Sequence, residues 1–159
     1  MKAIHWIIAA AALAFAQTTP ASALGINDPE VIIYRFPGVF DSGHTAVQGT
    51  ATSFHCTNFS GVTENIRFVT RDFDGSLRTN VFFPIEHLQT LTASTHETLL
   101  YSDAATPLNT GFVRQGTTAI AATSINIVCT AVTLDASSTV PNGFALRGIR
   151  FNPAPGSQE

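Results

Sequence analysis

The chain has 159 residues, of which 45% are hydrophobic and only 12% charged, with a formal net charge of −3. Its only lysine is Lys2, so the rest of the chain sets seven arginines against eleven acidic residues. That balance argues against nucleic acid or anionic membrane as a partner, since both are held by clustered Lys and Arg against phosphate, and the missing lysines exclude Schiff-base chemistry, a P-loop lysine and a lysine-based isopeptide crosslink.

Met1-Lys2 begins the chain, an apolar run from Ile4 to Ala16 follows, and Ala21-Ser22-Ala23 closes the segment with small residues. That order of charge, hydrophobe and small residues predicts a secretory signal peptide at 1–23, cleaved after Ala23. The run is about 13 residues, short of the roughly 20 that cross a bilayer. A single β-sandwich domain is expected over 24–152 and a flexible, Pro/Gly-rich tail over 153–159. No later segment is apolar enough to span a membrane, no Cys precedes Cys56, and the C-terminus is polar. The expectation is a protein exported to the periplasm or the extracellular medium, with no membrane span after cleavage.

The remaining chain alternates with period two and shows no helical periodicity over three turns. Thr is abundant and Phe numbers 12, and both pack well on a pleated surface. Val31 to Phe36 reads as a first strand, ended by Pro37-Gly38. Thr45 to Asn58 is a second, with Thr52, Phe54 and Cys56 on one face and Ser53, His55 and Thr57 on the other. Asn65 to Arg71 is a third, with Ile66, Phe68 and Thr70 opposite Arg67, Val69 and Arg71. Asp74-Gly75 then turns the chain, because Gly takes positive φ cheaply, and Leu77 to Phe83 returns as a fourth strand.

Pro84 begins a connection, and Gln89 to Thr95 is a fifth strand. His96 to Gln115 is the least regular region, within which Glu97 to Tyr101 is read as a helical turn or an edge strand. Thr117 to Ala122 and Asn126 to Leu134 are further strands, the latter alternating Ile127, Cys129 and Ala131 with Val128, Thr130 and Val132. Phe144 to Phe151 is the last. Seven to eight short strands separated by turns, with no room for crossover helices and no internal repeat, predict an all-β, antiparallel two-sheet sandwich.

Two cysteines in an oxidising compartment most simply pair, so a disulfide between Cys56 and Cys129 is expected. No Cys-x-x-Cys exists to suggest redox chemistry. With one Cys in the early run Phe54-His55-Cys56-Thr57, the other in Ile127-Val128-Cys129-Thr130 and a single strand after it, the layout resembles an immunoglobulin-like or fibronectin-like sandwich, of the kind met in small exported bacterial proteins. The resemblance covers most of Val31 to Phe151. It implies a bridge between the two sheets, which pack about 10 Å apart, so that the bond needs either a local pinch or neighbouring strands. The only Trp is Trp6, inside the signal, and Ile127 stands where a tyrosine corner would place Tyr, which sets the chain apart from antibody-type domains. No characterised family is identified.

No motif assigns a catalytic, cofactor or metal residue. Gly-x-Ser-x-Gly is absent. His44, His55, His87 and His96 form no His-x-His pair and no His-Glu-x-x-His helix, so each reads as a surface or hydrogen-bonded side chain. The sole Met is Met1, which excludes Met-rich copper handling. Asp41, Asp72 and Asp74 hint at calcium, but Leu77 and Arg78 stand where later ligands would be, and a hairpin turn explains Asp72 to Ser76. Arg67 and Arg71, with Arg78 across the hairpin, could grip a carboxylate or sulfate, or form a solvated face countered by Glu64 and Asp72. Asn58-Phe59-Ser60 fits a glycan acceptor and is read as chance.

The expected function is a non-enzymatic exported module binding a protein or cell-envelope partner. One alternative is a small secreted enzyme or small-ligand binder with a site near residues 87–115, marked by a polar pocket near His87, His96 and Asp103. Another is a pilin-like or adhesive subunit. No cofactor is expected.

Overall fold

Alternating burial along several strands builds the fold. In a computed structural model that describes residues 30–44 and 46–151, ten strands form: β1 (Val31–Asp41), β2 (Thr50–Asn58), β3 (Glu64–Arg71), β4 (Leu77–Ile85), β5 (Thr90–Ser94), β6 (Ala105–Pro107), β7 (Val113–Ala122), β8 (Ile127–Asp135), β9 (Gly143–Leu146) and β10 (Ile149–Arg150). The first sheet runs β10-β1-β7-β3-β4 and the second β6-β5-β2-β8-β9. All neighbours are antiparallel except β5 and β6. The chain is thus an all-β, two-sheet sandwich, as its period-two pattern and turns predict, and it is immunoglobulin-like, as the resemblance implies. The expected signal peptide (1–23) and tail (153–159) lie outside the described residues.

Ile66, Phe68 and Thr70 of β3 point inward and are buried, as are Phe54 and Cys56 of β2 and Ile127, Cys129 and Ala131 of β8. Phe36 and Phe68 from the first sheet close on Phe54 from the second, with ring centroids 5.6 and 5.9 Å from it. Aromatic pairs at such distances add about 0.5–1.5 kcal/mol each beyond the area they bury. These three rings tie the sheets together at the centre of the core.

The structure departs from the expected seven or eight strands in several places. β2 begins at Thr50 rather than Thr45 and β7 at Val113 rather than Thr117. β1 does not stop at Pro37-Gly38 but continues to Asp41. Its partner β10 covers only Tyr34 and Arg35, so Pro37 lies where β1 has become an edge, and a residue without an N–H costs nothing on an open side. Register shifts against β7 flank Val39. β4 runs through Pro84 for the same reason, since β4 is the edge of its sheet. The expected last strand is two strands in different sheets, β9 beside β8 and β10 beside β1. The chain changes sheets at Arg147-Gly148, where a Cβ on Gly148 would come within 2.5 Å of the Phe36 ring; only a glycine fits that crossing. Glu97 to Tyr101 is neither helix nor strand but runs irregularly into a turn, and the regular pieces of the irregular region are β6, lying parallel to β5, and the start of β7 at Val113.

The disulfide Cys56–Cys129 forms, but it does not join the two sheets as the resemblance implies. The two residues are directly opposite each other on β2 and β8, neighbours in the second sheet, with Cα atoms 4.1 Å apart. That is the spacing of the closer type of opposed antiparallel pair. Both side chains point into the core beside Phe54 and Ile127, so no pinch between sheets is needed.

Candidate functional site

β5 separates the histidines that the sequence places in one candidate region. His87 precedes this five-residue strand and accepts a hydrogen bond from Gly61 N at 3.1 Å, while His96 follows it and is buried. Asp103 is exposed in a turn. The expected pocket of His87, His96 and Asp103 is therefore not assembled. His55 packs edge-on against Tyr101 at 4.7 Å and shares a hydrogen bond with Thr92 Oγ1. Burial pushes the His55 imidazole pKa down. His44 is exposed.

His96 meets a partner that the sequence does not signal. Asp41, the last residue of β1, lies 3.0 Å from His96 Nδ1, and the Gln48 carbonyl lies 3.0 Å from Nε2. Gly43 N donates to Asp41 Oδ1 at 2.7 Å and Thr110 Oγ1 to Asp41 Oδ2 at 3.0 Å. Both imidazole nitrogens thus face acceptors, which favours the doubly protonated ring. Burial opposes that charge, but the Asp41 bond and charge, the Gln48 carbonyl and the charge on Glu97 outweigh it, and the His96 pKa is raised. Burial would also raise the Asp41 carboxyl, yet hydrogen bonds from His96, Gly43 and Thr95 and the His96 charge leave it lowered. The pair resembles the acid-base half of a catalytic triad, but the position of a nucleophile is filled by a backbone carbonyl. The pair acts as a clamp, tying the end of β1, Gln48 and the segment after β5 together.

Beside this clamp lies a cleft of about 150 Å³, whose walls include Val47, Glu97, Thr98, Ser102 and Pro107. Thr98 is fully buried, and its Oγ1 has no hydrogen-bond partner. Nothing in the sequence marks Thr98, one of many threonines; its burial and its unpartnered hydroxyl are visible only in the fold.

The three acids considered for calcium do not converge. Asp72 is buried and accepts from Arg114 N, from Arg78 and from Phe73 N, which bring its pKa down to about 2. Asp74 accepts from Ser76 N, and Asp41 belongs to the His96 clamp. Each carboxylate serves a turn or a clamp, and among the described residues no three His, Cys, Asp or Glu side chains come together as a metal site. Asn58 of the glycan motif is buried, its amide donating to the carbonyls of Val62 and Ile85.

Arg67 and Arg71 do share the outer face of the first sheet. Strand register sets three rows across it: Ile32, Ala121, Arg67 and Phe82; Arg35, Ala119, Val69 and Asn80; Pro37, Thr117, Arg71 and Leu77. Arg35 joins the face, which the sequence alone could not show because β1 and β3 are separated by β7. Small side chains on β7 leave a cleft of about 230 Å³, lined by Arg35 and Arg71 among others. Glu64 does not counter these arginines: it is buried on the inner face, where Thr123 Oγ1 donates to it. Asp72 pairs with Arg78, and the partner of Arg67 is Glu30 at 2.5 Å.

Also unforeseen is an aromatic sandwich at one end of the molecule, where the Arg114 guanidinium lies 5.3 Å from the Phe73 ring centroid and 5.1 Å from that of Phe112. Both rings are exposed. Among the described residues no helix is long and apolar enough to cross a membrane. No family model, curated protein or solved structure matches the chain.

Proposed function

We propose that the chain is an exported, non-catalytic module whose outer first-sheet face binds a carboxylate-bearing partner, either a protein or a component of the cell envelope. The observation that carries this reading is the three-row face holding Arg35, Arg67 and Arg71, with no acidic side chain in any row. On a chain of net negative charge, a face whose three arginines are met by Glu30 at Arg67 alone among the described ion pairs keeps a net positive charge, which steers and orients an oppositely charged partner. The guanidinium fork suits a carboxylate, which it can meet through two parallel hydrogen bonds. Phe82, Leu77 and Ile149 stand exposed along the same face or its edges, supplying the apolar contact that arginine-rich interfaces use.

The reading as a module rather than an enzyme is supported by the His96–Asp41 pair, whose remaining imidazole nitrogen is engaged by a main-chain carbonyl. The test is binding of immobilised residues 24–159 to poly-glutamate at low salt, followed as salt is raised. Binding should weaken with salt and fall about tenfold in Arg35→Ala/Arg71→Ala. Equal binding by the folded double variant, or none by the wild type, would defeat the reading.

A second reading, a small-ligand binder in the 87–115 region, is favoured by one observation: the cleft beside His96 with the unpartnered Thr98 hydroxyl.

A further inference from the structure

We infer that the cleft beside Phe73, Arg114 and Gln115 is a site for a small aromatic carboxylate, its ring against Phe73 and its carboxylate on the Arg114 guanidinium. The cleft holds about 200 Å³, and a cavity of about 150 Å³ admits a benzene ring. The side chains of its described lining residues are one phenyl ring, one guanidinium and one amide, an apolar wall with a single positive group. It shares no described lining residue with the Arg35–Arg71 cleft or with the cleft beside His96, so it stands or falls apart from both.

Two features set Arg114 apart from an ordinary surface arginine. Its guanidinium lies 5.3 Å from the Phe73 ring centroid and 5.1 Å from that of Phe112. An arginine over aromatic rings offers them the face of its guanidinium and keeps the N–H donors, which lie in the plane, for another partner. Arg67, Arg71 and Arg78 spend donors on Glu30, on the Gly75 carbonyl and on Asp72, whereas the Arg114 guanidinium has no hydrogen-bond or ion-pair partner among the described residues. The second feature is a bulge. From Val39 to Asp41 β1 passes two residues while β7 passes three, from Gly116 back to Val113, and Gln115 takes a left-handed φ of 49°. Bulges re-aim side chains, and both bulges and left-handed residues other than glycine concentrate at binding sites.

The site is assembled before any ligand arrives. One oxygen of the buried Asp72, Oδ1, accepts from Phe73 N at 2.9 Å and from Arg114 N at 2.8 Å, so the ring and the guanidinium are anchored through a common atom. Phe40 braces Phe112 edge-on, with ring centroids 6.4 Å apart. A preformed site spends little of its binding free energy on ordering. The chemistry of the walls selects the ligand. A guanidinium fork meets a carboxylate through two parallel hydrogen bonds, and the exposed Phe73 ring offers a face or an edge to a second ring. A cation fits poorly: Asp72 is paired with Arg78, Asp74 accepts from Ser76 N, and no described lining residue is acidic. A sugar acid also fits poorly, because its hydroxyls need several polar partners and the described lining offers only Arg114 and Gln115.

The experiment is an amide-resolved NMR titration of residues 24–159 with sodium benzoate. Parallel titrations use benzyl alcohol, which has the ring and no charge, acetate, which has the carboxylate and no ring, and glucuronate, which carries its carboxylate on a sugar ring. Benzoate should give saturable shifts at Phe73, Arg114 and Gln115 in the millimolar range, and the other three probes should not. Arg114→Gln and Phe73→Ala should each weaken benzoate binding about tenfold, as expected for loss of a charge-assisted hydrogen bond or of a ring contact. Both side chains are exposed, and the main-chain bonds to Asp72 survive either change, so the variants keep the fold. Equal binding of benzyl alcohol, acetate or glucuronate, or unchanged affinity in either variant, overturns the aromatic-carboxylate assignment. No saturable shift with benzoate overturns the site itself.

Discussion

Replacing His96 with Gln tests whether the buried clamp contributes to stability and through which charge state. The wild-type ring bonds Asp41 Oδ2 and the Gln48 carbonyl, each at 3.0 Å, with side-chain exposure of 3% for His96 and 0% for Asp41. Breaking a buried pair by removing one partner costs about 3–5 kcal/mol. Here Asp41 retains bonds from Gly43 N and Thr110 Oγ1, and a glutamine amide can still donate one bond, so about 2–3 kcal/mol is expected. The pH dependence fixes the mechanism. The His96 pKa is raised above its ordinary 6.5, so its contribution is complete below that value and is lost as pH rises through the folded pKa. The Asp41 pKa is lowered from 3.8, so its contribution is present above 3.8 and is lost as pH falls through the folded pKa. Stability from the pair should therefore be greatest between the two ordinary values of 3.8 and 6.5 and decline on the alkaline side. Urea unfolding of residues 24–159 across a pH series measures it. In His96→Gln the alkaline decline assigned to His96 should vanish. An unchanged profile in the variant, or a loss below about 1 kcal/mol of the kind typical for exposed pairs, would refute the clamp.

Reduction of Cys56–Cys129, which closes 73 positions of sequence, should lower stability by about 4 kcal/mol on the chain-entropy account; urea melts with and without reductant measure this, and a shift under about 1 kcal/mol would count against it. Gly148→Ala should cost about 1–3 kcal/mol, because the new Cβ would lie 2.5 Å from Phe36 Cε1 and that ring, 1% exposed, is locked in the core. A neutral effect in thermal unfolding would mean that the crossing between sheets is not limited by this contact.

Local pattern made the fold class legible. In β3, in β2 from Phe54 onward and in β8 as far as Thr133 the period-two alternation matches burial, because a strand sends successive side chains to opposite faces whatever its neighbours are. Phe54, Phe68 and Ile127 could thus be assigned to the core, and Cys56 and Cys129 to inward positions, from sequence alone. Arg67 and Arg71 could be placed on one outer face by the same rule. Which strands become neighbours is not a local property. It decided that the disulfide lies within one sheet, that Pro37 and Pro84 sit harmlessly on open edges, and that Phe144 to Phe151 divides between two sheets at Gly148. The candidate sites depend on it still more. Asp41 meets His96 across a sequence separation of 55, and Arg35 joins Arg67 and Arg71 only because β7 lies between their strands. Sequence determines the faces of each strand through short-range stereochemistry; partners, edges and clefts are decided by long-range pairing, where many arrangements satisfy the same local pattern and packing selects among them.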